Sequence, residues 1–157
     1  MGWLITFVIL AELIAWYCQS LKGMTVIGAM VVLGAIGHMT HTRSVRRLAA
    51  QRPGESICTF ARAFDLRRVD AAIVRAVYEE LQHYFIDVTP VFPVRPSDRF
   101  VMDFSIDPQD CEDLAELIAY RTQRPLDGGE SNPLWGQVQT VADLVEFFTR
   151  QPMIKSV

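Results

Sequence analysis

Two apolar runs close to the N-terminus limit what this chain can fold into. Residues 3–18 (WLITFVILAELIAWYC) hold one formal charge, Glu12, and residues 24–39 (MTVIGAMVVLGAIGHM) hold none apart from the titratable His38. Each run has 16 residues, which is about 24 Å of α-helix at 1.5 Å per residue. That falls somewhat short of the ~30 Å hydrocarbon core of a bilayer. Gly2, Gln19 and Thr40 extend the runs, and thinning or snorkelling covers the remaining mismatch. Between them, Gln19-Ser20-Leu21-Lys22-Gly23 reads as a tight helix–helix turn. The expectation is an antiparallel transmembrane hairpin over 1–41. Trp3, Trp16 and Tyr17 sit near the span ends, where amphipathic rings prefer the headgroup layer. Gly28, Ala29, Gly34, Ala35 and Gly37 give the second span a small-residue surface for close helix packing.

Orientation follows from the charges next to the spans. Arg43, Arg46, Arg47 and Arg52 come directly after the second one. The positive-inside rule then places both termini and the soluble part in the cytoplasm, with the anchor in a bacterial inner membrane. A cleaved signal peptide is the competing reading of the first run. It lacks a basic leading segment, and Ala15-Trp16-Tyr17-Cys18 is a poor cleavage site. Glu12 is costly inside a bilayer, so it is a candidate contact. It either faces the sister helix in protonated form or pairs with a polar group of a partner subunit; no chain of titratable groups supports a proton relay. His38 and His41 share one helix face. Ligation of a haem or pigment metal competes there with an ordinary interfacial role.

Beyond the anchor the composition changes. From Glu55 onward there are ten basic and seventeen acidic residues, a net charge of −7. An acidic domain of roughly a hundred residues can enclose one modest core. Its charge argues against nucleic acid as a partner. Cys18, Cys58 and Cys111 show neither a CxxC pair nor a metal-ligand spacing, and read as small thiols in a reducing compartment.

Residues 42–68 read as a basic juxtamembrane linker with a short helix, and 69–157 as a helical domain. Arg43 to Gln51 continues the helix or lies on the membrane surface, and Pro53-Gly54 breaks it. A short helix fits Ser56 to Phe64. Asp70 opens a stronger one, with Ile73, Val77, Leu81 and Tyr84 at helical spacing. Pro90, Pro93 and Pro96 make 86–106 a long connection that pins Val91, Phe92 and Phe100. Asp107-Pro108 is an N-cap followed by proline at the first helical position. The helix it starts has Cys111, Leu114, Ala115 and Ile118 on its apolar face and ends near Arg124-Pro125. After a loop over 126–139, Thr140-Val141-Ala142-Asp143 resembles a capping box. The last helix then faces the core with Val141, Leu144, Val145 and Phe148. No segment has strand periodicity, so the fold class is all-α: a two-helix transmembrane hairpin followed by a small helical bundle.

The stretch Phe100-Val101-Met102-Asp103-Phe104-Ser105-Ile106-Asp107-Pro108-Gln109-Asp110, running on to Leu114, resembles the acyl carrier protein family. The family pattern there is Asp-Leu-Gly-x-Asp-Ser-Leu followed by an acidic amphipathic helix. Asp103-Phe104 stands for Asp-Leu, and Asp107 for the second aspartate. Thr140 to Phe148 is similar to the family's final helix. The resemblance covers about 70–150. It implies a carrier-like bundle whose helix after Asp107 meets partner enzymes through Asp110, Glu112, Asp113 and Glu116. It also implies a missing cofactor, because Pro108 occupies the place of the phosphopantetheine-bearing serine and has no hydroxyl. The glycine of the pattern is Ser105, which is an alternative attachment point although it lies on the other side of the helix cap.

The chain shows no Ser/His/Asp order, phosphate-cradling loop or metal cluster. His83 with Glu79 and Glu80 one turn before it reads as a charged surface helix rather than an acid–base pair. The expected protein is therefore not an enzyme and holds no cofactor or metal. It is an accessory subunit of a larger integral membrane complex, touching lipid through its hairpin and docking through its acidic helix. Two other readings stay open: a membrane-tethered acyl carrier protein in lipid or acyl metabolism, and a pigment- or haem-binding membrane subunit.

Overall fold

The structure, a computed structural model, describes residues 21–153, and side chains from residue 23. The first apolar run, with Glu12 and Cys18, lies outside the described residues. So does the hairpin as such.

Five α-helices are present among the described residues: α1 (Leu21–Ala50), α2 (Ile57–Arg62), α3 (Ala71–Tyr84), α4 (Pro108–Thr122) and α5 (Val141–Arg150). No strand accompanies them; one antiparallel bridge joins Arg99 and Thr140. The described chain is all-helical, as the periodicity requires. It divides into two compact units, one ending at Arg43 and one running from Ser44 onward.

The described part of the first unit is helical throughout. Leu21, Lys22 and Gly23, expected in the turn, are already in α1. Leucine and lysine are good helix formers, and nothing in those three residues forces a break. Side chains 24–40 are all exposed, including Met30, Val31, Leu33 and Ile36. An exposed α-helix that is apolar all round suits hydrocarbon rather than water. Among the described residues, α1 is the one helix long and apolar enough to cross a membrane.

The second unit is built on α3, which packs against α2, α4 and α5. Asp70 caps α3 by accepting from Ala72 N at 2.8 Å. Ile73, Val74, Ala76, Val77, Tyr78 and Leu81 form its buried face. The stretch before Asp70 shares this core, since Val45 and Phe60 are buried in it and Leu48 packs on it. The 85–106 connection supplies an aromatic cluster. Phe85 and Phe92 have centroids 4.2 Å apart, and Phe104 meets both at 5.2 and 5.4 Å. Each buried phenylalanine contributes about 1.5–3 kcal/mol through area removed from water. Phe92 and Phe100 are pinned as expected, but Val91 is exposed. The Gln82 amide explains the difference: its Oε1 accepts from Phe92 N at 2.8 Å and its Nε2 donates to Phe92 O. That clamp turns Phe92 inward and leaves its neighbour outside.

Arg52 holds the second unit together at a point the sequence did not reveal. Its guanidinium donates to Asp98 Oδ2 at 2.7 Å and to Pro93 O at 3.2 Å. Asp98 is 2% exposed. Its carboxylate also accepts from Arg95 N at 2.7 Å, and its carbonyl accepts from Val141 N at 3.0 Å. Arg46 is likewise engaged, with Nε donating to Val88 O at 3.2 Å. Two of the four arginines assigned to membrane orientation thus have structural duties within the second unit, while Arg43 and Arg47 are exposed.

Removing one partner of a buried ion pair leaves the other charge stranded. Asp98→Ala should therefore destabilise the second unit by about 3–5 kcal/mol, measured by denaturant unfolding of the full chain in detergent. Gln123, in the left-handed conformation at the end of α4 (φ 54°), provides the opposite case. Gln123→Gly should stabilise by up to about 1 kcal/mol.

Candidate functional site: a groove beside α4

The start of α4 forms as its sequence dictates. Asp107 is extended and accepts from Asp110 N at 2.9 Å, and Pro108 takes the first helical turn. Ser105, two residues earlier, has φ 54°, the left-handed region that favours glycine. Phe104 and Ile106 on either side of it are buried, and Ile106 N donates to Phe100 O at 2.9 Å. The reversal at Ser105 allows both neighbours to point inward.

α5 starts beside this turn. Thr140 and Asp143 form a reciprocal capping box, with bonds of 3.1 and 2.8 Å, so aspartate serves where glutamate is usual. Phe100 N donates to Gln139 O at 3.1 Å, tying the two approaches together. Between them lies a groove of about 890 Å³. Phe100, Ile106, Leu144 and Phe147 make its floor, and Cys111 and Ala115 of α4 make one wall. The opposite wall is the 126–139 loop, which carries Trp135. Trp135 lies against Gly129, where an added Cβ would come within 2.5 Å of the ring. Glycine at 129 is therefore required by close approach, and the ring is held over the groove, 6.3 Å from Phe147 between centroids.

The acids expected to form one docking strip are divided. Asp110 is half-buried and accepts from the Tyr84 hydroxyl at 2.7 Å. Glu112 and Glu116 are exposed and line the groove. Asp113 is exposed, off the groove lining, on the outward side of α4 with Leu117 and Tyr120, which is 87% exposed. Glu12 lies outside the described residues. His38 and His41 both lie in α1, exposed and half-buried respectively. Glu79 and Glu80 both bind Arg121, and Glu80 is buried with an Oε1–Nη1 distance of 2.6 Å. His83 is exposed. Among the described residues no group of three or more histidine, cysteine or acidic side chains is placed to hold a metal. Burial pushes the Cys111 thiol up, with Glu112 adding to it, so the groove cysteine is poorly nucleophilic at neutral pH.

Sequence reasoning missed the groove's far wall. Trp135 was the signal available, a large aromatic in a loop otherwise rich in small and polar residues. No family model matches the chain, and neither the curated proteins nor the solved structures include a match to it.

Burial raises the Tyr84 hydroxyl well above the ordinary tyrosine value, and the Asp110 hydrogen bond adds to the shift. The folded state then holds this proton more tightly than the unfolded chain does. The associated stability is complete below about pH 10 and falls as pH rises past it. Tyr84→Phe should lose less than about 1 kcal/mol at neutral pH and show a shallower decline at alkaline pH. Unfolding midpoints across the alkaline range measure both.

Proposed function

We propose that the protein is an accessory subunit of a membrane assembly and that its second unit is a carrier-like docking module without a prosthetic arm. The carrying observation is the start of α4. Asp107 caps the helix and Pro108 fills the first turn, which supports reading this as a carrier-like helix start that lacks the serine hydroxyl. The left-handed Ser105 supports the same alignment, because it has the conformation that a glycine in the family pattern would favour. The apolar α1 supports a membrane anchor. The proposed setting is a bacterial inner membrane, with both termini cytoplasmic and a hairpin packing on a larger integral partner. Purification after mild detergent extraction tests this reading: a larger membrane protein should co-purify in fixed ratio, and a chain recovered alone would count against it.

A membrane-tethered carrier is the second reading. One observation favours it: Ser105 is exposed beside the helix start. The intact mass separates the two, since an added phosphopantetheine supports the carrier and an unmodified mass supports the docking module.

The alignment itself is open to substitution. Serine is tolerated in a first helical turn, so Pro108→Ser should change stability by less than about 1 kcal/mol. It should also become a substrate for a phosphopantetheinyl transferase. Severe destabilisation, measured by thermal unfolding, would show that the alignment is misplaced.

A further inference from the structure

We propose that the groove beside α4 seats the apolar face of a basic amphipathic helix from a partner protein. This deepens the docking-module reading and rests on it.

The groove has the dimensions and chemistry for side-chain anchors. Its volume of about 890 Å³ lies near the top of the range of sites that enclose a compact ligand. The floor is apolar, and Met102 and Trp135 at the mouth are exposed at 71% and 47%. An amphipathic helix presents anchors one turn apart along one face, which suits an apolar groove.

Charge selects the occupant. Glu112 and Glu116 stand one turn apart on the α4 rim, and neither has an ion-pair partner among the described residues. Like charges at this spacing repel, and a cation placed between them relieves the repulsion. Asp107 adds negative charge at the same end of the groove. Arg99, the basic residue of the lining, donates to the neutral Gln139 Oε1 at 3.3 Å and keeps its charge, so the lining carries three acids against one base. The acidic rim continues outward to Asp113 beside exposed Leu117 and Tyr120. An anionic lipid surface would meet these carboxylates with like charge. A second copy is equally ill-suited, because residues 44–157 carry seventeen acidic against thirteen basic side chains.

Cys111 provides a local readout, since it lines the groove while Cys58 is exposed elsewhere. The full chain in nonionic detergent is mixed with a synthetic Leu/Lys amphipathic peptide of about five helical turns, or with its Leu/Glu counterpart. Alkylation of each cysteine is then followed by mass spectrometry. The Leu/Lys peptide should slow alkylation at Cys111 by roughly tenfold, a difference of about 1.4 kcal/mol in occupancy, without altering Cys58. The Leu/Glu peptide should not. Glu112→Lys with Glu116→Lys, both exposed and so compatible with folding, should abolish the protection. Ala115→Phe, which intrudes into the groove beside Cys111 with the rim intact, should weaken it too. Equal protection by both peptides, or protection persisting in the double-reversal variant, would overturn the proposal. So would concentration-dependent protection by the chain alone, which would identify a second copy as the occupant. If the double-reversal variant still co-purifies with a membrane partner and shows unchanged protection, the groove assignment fails while the accessory-subunit reading stands. If the unmutated chain co-purifies with nothing, that reading fails, and the peptide footprint judges the groove by itself.

Discussion

The second unit depends on one buried carboxylate. Asp98 is removed from water, and a charge so placed is costly unless it is fully paired. Arg52 meets it with a guanidinium nitrogen that also reaches Pro93, and Arg95 contributes a backbone N–H. Through its own carbonyl, Asp98 receives the first N–H of α5. One residue thereby joins the chain after α1, the proline-rich connection and the last helix. Phe100 and Gln139, which bound the groove, are hydrogen-bonded just beyond this junction. The shape of the groove is thus secured by an ion pair that is not part of it.

Other acids in this chain serve inside the fold as well. Glu80 is buried against Arg121, and Asp110 is engaged by Tyr84. Each joins α3 to α4, at different points along the two helices. The formal charge of the unit therefore overstates the acid available at its surface. Glu112, Asp113 and Glu116 lie exposed along α4 next to Leu117 and Tyr120, while Asp87, Asp127 and Glu130 are exposed elsewhere on the unit.

Local signals were legible in the sequence where their partners lay within a turn. Asp70, Asp107-Pro108 and the Thr140–Asp143 box mark helix starts because a cap bonds two or three residues ahead. The apolar faces of α3 and α5 followed from 3.6-residue periodicity. Arg52 and Asp98 are 46 positions apart, and in one dimension the arginine looked like a membrane-flanking charge. The groove wall was hidden for the same reason, since Gly129 and Trp135 gain meaning only when the 126–139 loop folds over α5. Leu21 to Gly23 went the other way: a glycine and a lysine suggested a turn, and helix propensity prevailed.

The position of α5 has a consequence for the order in which the protein is made. Val141, Leu144, Val145, Phe147 and Phe148 are all core residues, and they are the last of the core to be synthesised. The part of the α3 face that α5 covers stays open until they emerge. The apolar segment of α1 leaves the ribosome long before that point. That apolar segment therefore emerges while the second unit is still open. A nascent chain stalled before Val141 would have its apolar helix but would expose the surface that α5 covers, leaving it to chaperones or proteases.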